Sequence, residues 1–333
     1  MPPRLARLLA AVVAIALVAG AFALRGGLSD DEGDTTSGPT GGEPTAGDDP
    51  AAEGGYRVLC DEDLGEEACD AVAALPGVAE VEVLPAGEVL AAYTGDGPAP
   101  DWDLWLTLDG LPGVLDTARD QVQLGAVTAE GARLEVASSR LALLTFEGSR
   151  LTCPDPPDWA CLVGTVRPGV AVPSPTTATG MVVLAAGTAG LVGTTRFGRE
   201  VTDDPEWDEI EELLDDVDSA AGSTTAEQTA SMVEPGTASA AVTTAGLAAV
   251  RARTVRGQGR GLASRPLTPA VRVGVVLVGL GARGDGAVRA LGEAVTDQTV
   301  LDALAEAGWE GAADASDGLP DPDVIYALQE ELG

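Results

Sequence analysis

The 333-residue chain has no lysine, no histidine and no asparagine, and all 19 of its basic residues are arginine. Without imidazole, a Ser-His-Asp or Cys-His relay is excluded, and the usual zinc sites lose a principal ligand. Without a side-chain amine there is no Schiff base and no P-loop lysine. Chemistry would have to rest on carboxylates, hydroxyls and thiols. Aromatic residues are scarce too, at five Trp, three Tyr and three Phe, so Ala, Val and Leu must fill the core. Basic side chains are outnumbered by 53 Asp and Glu, and the net charge of −34 offers no face for counterion release. Nucleic acid is therefore excluded as a partner. What is abundant is apolar residues, 45% of the chain, enough for a folded protein rather than a disordered one.

Arg4 and Arg7 precede an uninterrupted apolar run over residues 8–24. Seventeen residues suit a signal h-region and are just enough to span a bilayer, which favours a membrane anchor over a cleaved leader. Ala21-Phe22-Ala23 fits a small-x-small cleavage site, so both readings stay open. In either case positive residues stay inside and the rest is exported. Residues 25–55 then turn to Gly, Asp, Glu, Thr and Pro. They read as an acidic flexible linker with a random-coil span of roughly 30 Å, lacking the ligand spacing of a calcium loop.

Cysteine usage agrees with export. The four cysteines form two close pairs, Cys60 with Cys69 and Cys153 with Cys161. Three connectivities are open, and the two local bridges are expected, each closing a loop of about ten residues worth roughly 2–3 kcal/mol. A redox or metal site would need tighter spacing such as C-x-x-C.

From Tyr56 onward, short β runs alternate with helical ones. Strands are expected over 56–60, 78–84 and 103–108, with helices over 66–75 and 87–93 between them. That order implies an α/β domain with a largely parallel sheet, whose ligands lie beyond the carboxyl ends of the strands. Residues 134–146 (LEVASSRLALLTF) form one long extended run, which suggests a crossing between two domains. A strand over 169–172 and the polar turn 173–177 lead into an almost wholly apolar helix over 179–191, too short for a membrane span and expected to be buried. Residues 203–218 read as an acidic amphipathic helix with Trp207 on its inner side, 223–229 as a polar link, and 238–243 as a strand followed by a helix through Val250. Arg251, Arg253, Arg256 and Arg260 form a basic cluster, expected as a loop that offsets the surrounding negative field. An apolar strand over 271–279 and two helical pieces over 287–307 complete the pattern, with Asp297 as a cap and Gly308 as a stop. Gly279-x-Gly281-x-x-Gly284 matches the dinucleotide pattern. It lies in the last strand-helix unit, and no later strand ends in an acid for a ribose, so it reads as a tight strand-to-helix turn.

Several stretches, in order, resemble the type II extracytoplasmic solute-binding proteins of ABC importers, the group that includes the molybdate-binding proteins. They are ASSRLALL at 137–144, DWACL at 158–162, VAVPSPTTATG at 170–180, EPGTASAAVTT at 234–244, and the closing strand and helices up to Gly308-Trp309. The first loop departs from that family. It reads Asp61-Glu62-Asp63 where many members place Ser or Thr, and Ser239 stands where an acid is usual. An oxyanion would be poorly served by the first change.

The resemblance implies a two-lobe α/β fold of the periplasmic-binding-protein type, each lobe a mainly parallel sheet flanked by helices, behind an N-terminal apolar helix. Residues 1–24 would be the signal or anchor and 25–55 the linker. Lobe 1 would comprise 56–139 and 263–333, and lobe 2 would comprise 140–262. A small polar solute would lie between the lobes for delivery to an ABC-type permease, by an extracytoplasmic monomer without cofactor or metal.

The candidate ligand residues are Ser174, Thr176, Thr177 and Thr179 at the helix start, where free N–H groups and the positive dipole end converge. Thr107, Asp109, Ser138, Ser139 and Thr243 would complete the walls. The alternative is a ligandless, membrane-tethered module of the same fold that contacts another protein. No catalytic residues are assigned. Carboxylate-only hydrolysis, with Asp109 or Glu62 as the residues to change, stays open, although no separated pair of acids is plainly tuned by its surroundings.

Overall fold

Continuous runs of buried apolar residues drive the first half of the sheet. Tyr56–Asp61 (β1) buries its last four residues, Val78–Leu84 (β2) runs parallel along one side of it, and Leu104–Leu108 (β3), buried throughout, runs parallel along the other. The intervening helices present stripes to this sheet. Glu66–Ala73 (α1) buries Ala68, Cys69 and Val72, and its acidic first turn faces the positive end of its own dipole. Ala86–Thr94 (α2) buries Val89, Leu90 and Tyr93, and Leu111–Gln121 (α3) buries Val114, Leu115 and Ala118. The computed structural model describes residues 55–147, 153–165, 170–198, 201, 207, 240–256, 261–310 and 317–332. The leader, almost all of the acidic linker, Ser239, Arg260, the polar link and the helix expected over 203–218 lie outside them, except Trp207, which is helical and buried.

Thr128–Phe146 (β4) is a single strand of 19 residues that begins earlier than its apolar pattern suggests. It serves two sets of partners. From Thr128 to Arg140 it pairs with Arg272–Leu280 (β8), and from Leu141 to Phe146 it pairs with Ala240–Thr244 (β6) on one side and Leu262–Pro266 (β7) on the other. Val170–Ala171 (β5) continues the sheet beyond β6, giving the order β2-β1-β3-β8-β4-β6-β5.

The sheet is mixed rather than mainly parallel. The β1/β2, β1/β3 and β5/β6 ladders are parallel, whereas β3/β8, β4/β8, β4/β6 and β4/β7 are antiparallel. A parallel neighbour needs a crossover that returns the chain to its starting edge. β7 already runs against β4, and the chain continues into β8 without turning back, so β8 runs against both β4 and β3.

Trp159–Thr165 (α4) and Ala178–Val192 (α5) follow β4, and α5 is buried on nearly every side from Ala178 to Ala189. Trp159 is seated on α5, where a Cβ on Gly190 would lie 2.2 Å from its Cδ1. A helix apolar all round belongs in an interior. Among the described residues no helix is long and apolar enough to cross a membrane. Ala245–Arg256 (α6) covers a smaller cluster of Leu144, Ala171, Ala241, Val255 and Leu262. Gly284–Val295 (α7), Gln298–Ala307 (α8) and Pro322–Leu332 (α9) complete the outer layer. The glycine motif is packing: Gly281 has φ +59°, and a Cβ on Gly279 would lie 2.5 Å from the carbonyl carbon of Gly284.

Both local disulfides are present, Cys60–Cys69 and Cys153–Cys161. Cys60 and Cys69 are buried between β1 and α1. Replacing both by alanine is expected to lower unfolding stability by about 2–3 kcal/mol through the lost loop constraint, read from urea denaturation.

Candidate ligand site at the start of α5

The turn before α5 is built by its own hydroxyls. Thr177, in extended conformation, is the N-cap, and its Oγ accepts from the Gly180 N–H at 3.1 Å and donates to the Ser174 carbonyl at 3.0 Å. The Ser174 and Thr176 hydroxyls lie 2.8 Å apart, and the Thr176 N–H donates to Ser174 Oγ at 3.3 Å. Gly180 makes this turn possible, because a Cβ there would lie 1.7 Å from the Ser174 carbonyl oxygen.

The first turn of an α-helix leaves N–H groups without intrahelical partners. That of Thr179 is met from far along the chain. It donates to Asp63 Oδ2 at 2.7 Å, across 116 residues of sequence. Asp63 lies in the short 3-10 turn Glu62–Leu64 that follows β1. Asp61 caps that turn, its Oδ1 accepting from the Asp63 N–H at 3.1 Å and its Oδ2 from the Thr107 hydroxyl at 3.1 Å. Asp61 and Thr107 are fully buried. Burial raises the Asp61 pKa well above the usual carboxylate range, and the neighbouring Asp63 charge adds to the effect. The Asp63 N–H and Thr107 hydrogen bonds oppose it, and Glu62 adds a smaller upward push. A third segment joins at α2, where the Gly87 N–H donates to the Thr176 carbonyl at 2.9 Å.

Five of the nine sequence candidates therefore gather here: Ser174, Thr176, Thr177, Thr179 and, through Asp61, Thr107. Ser139 serves another helix start, and Ser138 pairs beyond the end of α8. Ser139 Oγ accepts from the Gly246 N–H of α6 at 3.2 Å, while the Ser138 backbone forms a bridge with Glu310. Gly246 in turn abuts the C-terminal stop of α8, since a Cβ on it would lie 1.7 Å from the Gly308 carbonyl oxygen. Asp109 is held in an ion pair by Arg133 at 2.7 Å. Thr243 is fully buried with its hydroxyl unpartnered, and it shares the sheet face of Leu144 and Ala241, which packs on α6.

The residues that sequence reasoning missed are Asp63, Gly87 and Gly180. The Asp61-Glu62-Asp63 run was visible as a departure, but no local signal pairs Asp63 with a backbone group 116 positions away.

No protein-family model matches the chain, and no curated protein sequence matches it. Solved structures do. AfuA from Actinobacillus pleuropneumoniae, a periplasmic binding protein with exogenous fructose-6-phosphate bound, is 13% identical with a TM-score of 0.56, over 84% of this chain and 95% of its own. A periplasmic thiamin binding protein is 13% identical with a TM-score of 0.54, over 83% and 93%. Iron-bound HitA from Pseudomonas aeruginosa is 13% identical with a TM-score of 0.54, over 84% and 99%. Identity at this level speaks for architecture alone, and in architecture the chain is similar to the periplasmic binding proteins: an α/β fold with a mixed sheet and flanking helices.

Proposed function

We propose that the chain is an extracytoplasmic solute-binding protein. It takes a small polar solute between two lobes, expected over 56–139 with 263–333 and over 140–262, with β7 placed in the second by its pairing with the end of β4, and presents it to an ABC-type importer. The observation that carries this reading is the connection between the two sets of strands. The chain leaves along β4 and returns from β7 into β8, and the start of α5 meets the loop after β1 across that division. A solute touching both sides would favour a closed arrangement by its differential affinity for it. The fold neighbours are binding proteins, which supports binding rather than catalysis. Two disulfides support an oxidising compartment, with residues 1–24 as leader or anchor. The reading is not extended to molybdate, because a carboxylate already stands at the helix end where an oxyanion would be received.

The test is thermal unfolding against a panel of oxyanions, amino acids, sugars and metal ions. A ligand of the native state at about 100 times its Kd stabilises by about 2.7 kcal/mol, a shift of several degrees. A flat response to every member at millimolar concentration would overturn the reading. It would favour the second one, a ligandless surface module of the same fold that contacts another protein. That alternative draws on a specific observation: the groups around the turn before α5 already have partners within the chain, at Thr179, Thr176 and Thr107.

A further inference from the structure

We infer that the Asp63 carboxylate is a built-in occupant of the α5 helix end, an autoinhibitory contact that bars external anions until it is withdrawn. Thr179 is 1% exposed, so without Asp63 its N–H would be a buried donor with no acceptor. The contact is charge-assisted and short at 2.7 Å, and a carboxylate is the group that a helix N-terminus favours.

Two independent features show that the close approach is built in. Gly87 donates to the Thr176 carbonyl in the same junction, and a Cβ on Gly87 would lie 2.9 Å from that oxygen, so the two segments meet at a distance only glycine permits. The Asp63 backbone is in turn fixed by the buried Asp61 carboxyl, which Thr107 anchors on β3. The loop is thus shaped to deliver its carboxylate whether or not a solute is near. A tethered carboxylate competes at an effective concentration in the millimolar range or above, which a free anion must exceed to displace it.

As a lock on a solute site, this contact rests on the reading above and narrows it: a solute admitted while the lock holds presents no anionic group to α5. As occupancy of a helix end, it is tested without that reading. The full chain and its D63A, D63S and D63N variants are titrated with sodium sulfate and sodium acetate against sodium chloride at matched ionic strength. Melting temperature and the ¹⁵N amide shifts of Thr179 and Gly180 are followed. D63A is expected to gain a saturable rise of several degrees with sulfate or acetate, together with shifts at both amides. The wild type is expected to show no shift at either amide and only the non-saturating rise that an excluded salt such as sulfate gives any folded protein. D63N keeps an acceptor oxygen in place and is expected to behave as the wild type.

Should D63A not fold, D63S, whose side chain is too short to bring an acceptor to Thr179, carries the same expectation. Saturable amide shifts in the wild type, or none in either short variant, would overturn the inference. So would anion binding by D63N equal to that of the short variant. A flat solute panel with anion binding in D63A would sink the solute reading and leave the lock standing. A stabilising solute with no anion gain in D63A would do the reverse.

Discussion

Gly180→Ala is expected to cost about 3 kcal/mol or more of unfolding stability, at the upper end of what overpacking produces. The added Cβ would meet the Ser174 carbonyl oxygen at 1.7 Å, the Ser174 carbonyl carbon at 2.5 Å and the Pro173 carbonyl oxygen at 2.9 Å, all of them backbone atoms that cannot rotate aside. Relief requires the turn 173–177 to lift from α5. That movement would break the Thr177 cap and pull Thr176 from Gly87. Losing the cap alone is worth about 1 kcal/mol. Urea denaturation reads the loss, and Gly97→Ala is the control. Nothing lies within 4 Å of a Cβ at Gly97, so that change is expected to be neutral within about 0.5 kcal/mol. A neutral Gly180→Ala would mean that the turn does not lie against the helix as described.

Asp61→Asn is expected to stabilise the protein at neutral pH and to leave it unchanged in acid. The side chain is fully buried, and its pKa in the folded chain is raised well above 3.8, mainly by burial. As pH rises past 3.8, the unfolded chain releases this proton while the folded chain keeps it. The group's contribution to stability is therefore complete below 3.8 and lost as pH climbs through the folded value. Asparagine cannot ionise. Its Oδ1 can accept from the Asp63 N–H as the carboxyl does, and its Nδ2 can donate to the Thr107 oxygen once that hydroxyl, which donates to Oδ2 in the structure, turns to accept. The stability difference between Asp61→Asn and the wild type should be near zero below 3.8 and grow above it by about 1.4 kcal/mol for each unit the folded pKa is raised. Asp61→Ala removes both acceptors and is expected to destabilise by about 1–3 kcal/mol below pH 3.8, a deficit that shrinks above it because alanine does not ionise either. Melting curves between pH 3 and 8 distinguish these outcomes. An Asp61→Asn variant weaker than wild type throughout would show that the buried group is needed as an anion.

Local signals made much of the fold legible. The alternation in VAEVEVL marks β2, and the near-continuous apolarity of residues 178–189, interrupted by Thr179 and Thr188, marks a buried helix. Asp297 and Gly308 bracket α8 as a cap and a stop, with Asp297 Oδ1 accepting from the Thr299 N–H at 3.0 Å and Gly308 at φ +100°. α3 escaped because its first turn holds Pro112 and Gly113, which look like breakers. Pro in the first turn is in fact favoured, and Gly113 makes room for Pro322, which a Cβ would approach to 2.5 Å. β7 (LASRP) escaped because it lacks alternation and ends in proline, and α9 escaped although Asp321 followed by Pro322 is a cap-and-proline helix start. Strand direction was not legible, since periodicity reports burial and not the path of the chain between strands. At the site, the hydroxyl-rich turn was readable from its composition. Its partner was not, because the Asp63 contact and the Gly87 approach are made by distant segments whose meeting only the tertiary fold determines.

The length of β4 has a consequence for how the molecule comes apart. Its ladder to β8 ends at Arg140, its ladder to β6 begins at Leu141 and its ladder to β7 at Ala142, so no residue of slack separates the two sets. Melting one set of strands strips the partner from half of a continuous strand that the other set still needs. Neither set can serve as an independent foldon. Calorimetry should therefore record a single endotherm, and the amides on either side of residue 140 should exchange with deuterium in one concerted opening.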